Sequence, residues 1–179
     1  IAEARAEMVA SHRTRFGSTD DLLVGLQLTH SGRWSRPQGV THSGRWLRHQ
    51  GAPAPSTAFA HPMLDDRSPG ATVLSDTELH ELIDAYVAAA SLAHRAGFDF
   101  VDVKHCHGYL LHELLGGVDR PGEFGGSFEN RTRFLRTVVE RLRNDEPDLM
   151  VALRLSAYDF APFIPGPDRR GIREPGDVG

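Results

Sequence analysis

Only one of the 179 residues is cysteine, Cys106, so no disulfide can close within the chain and a reducing compartment is the expected setting. Apolar runs are short: none approaches the roughly 20 residues that span a bilayer. Residues 1 to 16 mix charge with alanine, where a signal peptide needs an unbroken apolar stretch. The expected location is the cytoplasm. An excess of one charge is also missing. A net charge of −4 and a pI of about 6.2 give neither a nucleic acid nor an anionic membrane a reason to bind. Gly125 and Gly126 lack the lysine of a Walker loop, and no paired Cys/His module of the structural-zinc kind is present. His105, Cys106, His107 and His112 would alternate faces instead of converging, so no metal is expected, and Cys106 reads as a small buried residue.

What is present is an ordinary globular composition, 40% hydrophobic and 25% charged, which fits one domain. The chain begins at Ile1 without a methionine and stops at Gly179 inside a Pro/Gly-rich run. It is therefore expected to be a piece of something longer.

The hydrophobic period alternates between helix and strand. Residues 2 to 16 carry apolar side chains at Ala4, Met8, Val9 and Phe16 before Gly17, a modestly amphipathic helix. The short run LLVGLQLTH follows as a strand that places Gly25, Gln27 and Thr29 on one face. Ser75 and Glu78 form a capping-box pattern ahead of Leu79, Leu82, Ile83, Tyr86, Val87 and Ala90, which predicts a helix over 76–96 closed by Gly97. A strand is expected over 98–104. A second strong helix should start at Ser127, bury Phe134, Leu135, Val138, Val139 and Leu142, and end at Pro147. DLMVALRLSA then supplies a third strand, with Ala152, Arg154 and Ser156 on one face. Three strands separated by helices, without a hairpin signal, imply parallel pairing and an α/β class.

The segment 31–74 has no sustained period and reads as a long loop insertion at the end of the first strand, a length that usually serves function. It contains most of a tandem duplication. THSGRWSRPQGV at 29–40 is followed at once by THSGRWLRHQGA at 41–52, identical at nine of twelve positions. Two short copies cannot build a solenoid, so the expectation is a duplicated surface loop, with the displaced copy undetermined.

Chemistry-bearing residues gather at strand ends. Lys104 and His107 stand at the tip of the second strand, where charge is costly unless a ligand or reaction uses it. Tyr109 follows two residues on, where packing is an equally good account of it. Gln27 offers a donor and an acceptor near the end of the first strand. Arg154 interrupts the third, and the simplest structural account is an ion pair, for instance with Asp102.

The wording HGYLLHELL, GGSFENRTRF and LRLSA, with Gln27, Leu28, His30, Gly32 and Arg33 in the frame QLxHxGR, resembles the old yellow enzyme family of FMN-dependent NADH:flavin oxidoreductases. The resemblance runs with interruptions from about Leu22 to Ala157. It implies a TIM (β/α)8 barrel of which strands three to five are present, FMN as cofactor and NAD(P)H as reductant. The acceptor it implies is a small molecule, an activated alkene or a relative of one. By the same resemblance Gln27 and Arg154 bind the flavin, Lys104 and His107 grip the acceptor oxygen, and Tyr109 donates a proton. Lysine in place of the usual histidine at 104 departs from the family pattern. Two alternatives stay open: a non-catalytic remnant of such an enzyme, and a TIM-barrel enzyme that works without flavin. Self-association into a homo-oligomer is left open as well.

Overall fold

The computed structural model describes residues 1–35, 54–61, 64–65 and 70–157. Three parallel strands form its centre: β1 (Gly25–Leu28), β4 (Phe100–His105) and β5 (Met150–Leu155), in the order β1-β4-β5. The register sets Gln27 opposite Asp102, Asp102 opposite Ala152, and Lys104 opposite Arg154. Because side chains alternate along a strand, Gln27, Asp102, Lys104 and Arg154 share one face. Leu26, Leu28, Val101, Val103 and His105 share the other.

That second face carries the helices. Helix α2 (Asp76–Arg95) is capped as its sequence requires: Ser75 Oγ accepts from Glu78 N–H, and the Glu78 carboxylate accepts from Ser75 N–H at 2.8 Å. It buries Leu79, Ile83, Tyr86, Val87 and Ala90, with Leu82 half-buried at the stripe's edge. Gly97 closes the turn at φ +85, a backbone angle that a side chain would strain. Against α2 lies α5 (Arg133–Asp145), which buries Phe134, Val138 and Leu142. Between them they leave Val101 and Val103 without solvent exposure.

The single helix expected from Ser127 is two helices. Ser127 caps the short α4 (Phe128–Arg131), and Thr132 separates it from α5. Thr132 Oγ1 donates back to the carbonyls of Phe128 at 2.9 Å and Glu129 at 3.3 Å. Such back-bonding competes with the helical ladder and bends it.

Helix α1 (Ala2–Phe16) has the expected ends, Gly17 standing at φ +81. Its apolar side covers little: Met8 and Phe16 are exposed, and Val9 alone of the four apolar positions packs against the core. The loop insertion is also more structured than its lack of period implies. It contains a 3-10 turn, η1 (Gly32–Trp34), and a two-residue parallel pair, β2 (Ser56–Thr57) with β3 (Thr72–Val73). Two-residue strands carry no readable alternation, which is why the sequence hides them. Residues 36–53, holding the rest of the first repeat and the whole of the second, lie outside the described residues. After β4 comes α3 (Leu110–Gly116), buried along most of its length.

Candidate active site

The shared polar face begins at Gly25, where an added Cβ would collide with the Phe100 ring. This aromatic floors the face, and the next pleat is polar. Gln27 Nε2 donates to Asp102 Oδ2 at 2.7 Å. A carboxylate only accepts, so this contact fixes the amide with its nitrogen toward Asp102 and leaves Oε1 as a spare acceptor. Arg154 Nε stands 3.9 Å from the same oxygen, and its side chain is 56% exposed. The ion pair weighed for Arg154 is thus present only at the limit of contact and in solvent, where such pairs contribute little. Asp102 Oδ1 is buried and has no hydrogen-bond partner. An orphaned carboxylate oxygen beside an exposed guanidinium and a spare amide carbonyl can take a planar ring that presents both N–H and C=O groups at its edge.

One residue further along β4 on this face, Lys104 is 8% exposed, and its Nζ lies 3.7 Å from the centre of the Tyr109 ring. The chain then turns sharply. His107 takes φ +63 and Gly108 φ +66, and a histidine in this left-handed region is uncommon enough to mark a constrained turn. His107 is exposed. Its backbone N–H donates to Ser156 Oγ at 3.3 Å, and Ser156 N–H donates to the His105 carbonyl at 3.0 Å, so the end of β5 holds the tip of β4.

Two further supports hold this turn. Trp34 Nε1 donates to the Gly108 carbonyl at 2.9 Å, and His112 Nδ1 accepts from Gly108 N–H at 2.8 Å. The second contact places the imidazole proton on Nε2. Leu110 N–H reaches the His30 carbonyl at 3.2 Å, and Gly32 packs so closely on Leu110 that a Cβ there would touch its backbone.

Beneath the turn is a charged network that the sequence alone did not single out. Arg33, fully buried, pairs with Glu113, reaches Asp65 Oδ1 at 2.6 Å and donates to the Phe59 carbonyl at 3.1 Å. Glu113 Oε2 also accepts from Ala58 N–H at 3.1 Å. Burial pushes the Glu113 carboxyl above its ordinary range, against the pull of Arg33. The available signal was an acidic residue inside the apolar helix LLHELLG, which must find a cation. Cys106 is buried, as expected of it. Ser127 accepts from Asn130 N–H as the cap, and Arg131 holds the carbonyls of Gly126 and Leu115. A cavity of about 400 Å³ lined by Phe59, His61, Val73 and Arg120 lies under the insertion and shares no lining residue with the polar face.

Of the residues singled out in the sequence, the structure joins Gln27 and Arg154 through Asp102 and joins Lys104 to Tyr109. His107 is exposed, and its backbone N–H is tied to Ser156. Functional groups projecting from the carboxyl ends of parallel strands, with helices covering the opposite face, are the build of an α/β enzyme site. The chain belongs to the NADH:flavin oxidoreductase / NADH oxidase family, an FMN-dependent oxidoreductase family whose model matches residues 14–163. It is 37% identical over 140 residues to an NADPH dehydrogenase of Clostridium acetobutylicum, covering 76% of this chain and 37% of that protein. It is 35% identical over 157 residues to an NADH:flavin oxidoreductase of Gibberella zeae, covering 82% of this chain and 37% of the relative. The chain therefore spans little more than a third of the length of the curated relatives it matches. Among solved structures, histamine dehydrogenase from Rhizobium sp. 4-9 superposes with a TM-score of 0.59 at 28% identity, over 75% of this chain and 19% of that one. A 2-naphthoyl-CoA reductase in complex with 2-naphthoyl-CoA gives 0.61 at 26% identity, over 76% and 21%.

Proposed function

We propose that the chain supplies strands three to five of a (β/α)8 barrel that binds FMN and passes reducing equivalents from NAD(P)H to an activated alkene or related small-molecule acceptor. The observation that carries this reading is the Gln27–Asp102–Arg154 row. Its spare amide carbonyl, orphaned carboxylate oxygen and exposed guanidinium match the alternating N–H and C=O groups on the pyrimidine edge of a flavin. Gln27 and Arg154 are the binding residues, with Asp102 orienting them. Bound FMN supplies the hydride chemistry. Lys104, His107 and Tyr109 face the acceptor, Lys104 and His107 as partners of its oxygen and Tyr109 as proton donor.

The barrel is favoured by the outer edge of β5. Leu153 and Leu155 are exposed there on the face that helices cover elsewhere, as expected of a sheet that continues into further strand-helix units. No described helix is long and apolar enough to cross a membrane. The reading places the enzyme in the cytoplasm, with small molecules as its partners.

The full-length protein should purify yellow, with non-covalently bound FMN released on denaturation, and should oxidise NADPH or NADH when given an enone. A colourless protein that fails to take up added FMN would exclude the reading.

A further inference from the structure

Lys104 is a buried cation whose charge the described residues do not balance. It is 8% exposed, and among the described residues no carboxylate lies within ion-pairing distance of it. Asp102, two residues back on the same face, does not reach it: its Oδ2 takes the Gln27 amide at 2.7 Å and faces Arg154 Nε at 3.9 Å, and its Oδ1 has no partner. The contact that remains to Lys104 is the Tyr109 ring, 3.7 Å from Nζ. A cation–π contact returns only part of what an ammonium loses on leaving water. The difference is a standing deficit that an anion would relieve.

The two cations of the face also point to different neighbours. Arg154 sits opposite Lys104 in the register but reaches back to Asp102, while Lys104 meets Tyr109, beside the His107–Gly108 turn. Counting Lys104 and Arg154 against Asp102 leaves the face with one excess positive charge, and its location is the Lys104 ammonium.

We propose that Lys104 makes the site selective for acceptors that carry a free carboxylate beside the reacting double bond, with Nζ as the carboxylate's partner and the Tyr109 ring holding the ammonium in place. The inference rests on the role given above to Lys104 as a partner of the acceptor oxygen. A compact ammonium suits such a ligand because it is a point charge that tolerates varied carboxylate orientations, whereas a neutral imidazole offers one directional donor. Neutral ketones and amides of the same shape lose the ion pair and leave the ammonium buried against the ring alone.

The test is calorimetric binding of trans-cinnamate and of the isosteric cinnamamide to the purified full-length protein, so that it does not depend on turnover. The acid should bind at least tenfold more tightly than the amide. Lys104→Met should bring the ratio close to one, and Lys104→Arg, which keeps the charge, should retain most of it. Lys104→Gln reads the same ratio if the methionine variant does not fold. Equal affinity for acid and amide in the unaltered protein overturns the proposal, as does a preference that persists in both neutral variants. Failure of the flavin reading looks different. A protein that prefers the acid without binding FMN keeps the carboxylate site and loses the flavoprotein function. One that holds FMN and turns over enones without distinguishing acid from amide does the reverse.

Discussion

Asp102 Oδ2 receives the Gln27 side-chain amide at 2.7 Å while the other carboxylate oxygen is buried without a partner. One acidic side chain thereby dictates which end of the Gln27 amide faces the mouth of the sheet. If that orientation serves flavin binding, Asp102→Ala leaves the amide free to rotate and removes an acceptor from the ring edge. FMN affinity of the full-length protein should fall about tenfold or more, the range for a lost hydrogen bond to a charged group. Titration of FMN fluorescence reads it directly. Affinity unchanged by the substitution would reduce Asp102 to a packing residue.

Arg154 is held loosely, with over half of its side chain in solvent, so its replacement should leave the fold intact and act on the ligand. Arg154→Met removes the positive charge nearest the Gln27–Asp102 row. Reduced flavin is anionic at its pyrimidine edge, and a fixed cation there stabilises it. The variant should bind FMN less tightly and show a more negative reduction potential in a spectroelectrochemical titration. A potential equal to that of the unaltered protein assigns Arg154 to the surface instead.

The Arg33–Glu113 pair is buried on both sides, so breaking it strands a charge. Arg33→Met should cost about 3–5 kcal/mol, the range for removing one partner of a buried pair. Adding Glu113→Gln should restore much of that loss, because no buried carboxylate then lacks a cation. Denaturant unfolding of both single variants and the double variant gives the coupling. Additive losses would mean that the two side chains do not act as a pair.

His105 offers a pH dependence whose sign can be worked out. Burial holds its imidazole down to about 4, aided by the nearby His112 and opposed by a hydrogen bond to Val103. In the unfolded chain the same group titrates near its ordinary 6.5. The folded state therefore keeps a neutral ring where the unfolded state has taken a proton. Stability from this source is complete above pH 6.5, declines as pH falls, and levels off below about 4. The full effect is about 3 kcal/mol at most. Carboxylates also titrate in part of this window, so the difference between the unaltered protein and His105→Leu isolates the imidazole. The variant should lose less stability between about pH 7 and pH 4.5. Parallel pH profiles would show that the ring is solvated or paired.

The sequence disclosed the helices and strands wherever one period persisted long enough to be read, as in the stripe from Leu79 to Ala90 and the capping box at Ser75. Strand parity also separated Gln27 from Leu26 and Leu28, and Arg154 from Leu153 and Leu155, whereas the face that Gln27 and Arg154 share is set by the register across β4. The sequence did not disclose contacts that depend on chain segments far apart. Arg33 meets Glu113 across 80 positions, and Trp34 meets Gly108 across 74. Neither partner signals the other locally. The break at Thr132 was hidden for a different reason: threonine is tolerated within helices, and only its back-bonding to Phe128 and Glu129 interrupts this one. The left-handed turn that exposes His107 at φ +63 was hidden too, because that backbone angle is set by the packing of Gly108 against Trp34 and His112 and not by a local glycine at 107.

Of the two tandem copies, the first is seated in the fold: Gly32 packs on Leu110, Arg33 is buried against Glu113, and Trp34 holds Gly108. The second copy begins with the same six residues, Thr41 to Trp46. Deleting 29–40 joins Leu28 directly to Thr41, so that Arg45 and Trp46 fall where Arg33 and Trp34 stood. Deleting 41–52 keeps the original pair and shortens only the connection that follows. Both deletions thus preserve the residues that the α3 turn requires, and removing twelve residues from a loop changes closure entropy by about 1 kcal/mol or less. The full-length protein should therefore tolerate either deletion with little change in its unfolding midpoint. The 29–40 deletion paired with Arg45→Met should then lose as much stability as Arg33→Met does in the intact chain, because Arg45 has become the partner of Glu113. Global unfolding in both simple deletions would show that the two copies are each packed parts of the fold. Insensitivity to Arg45→Met after the 29–40 deletion would show that the second copy cannot take the place of the first.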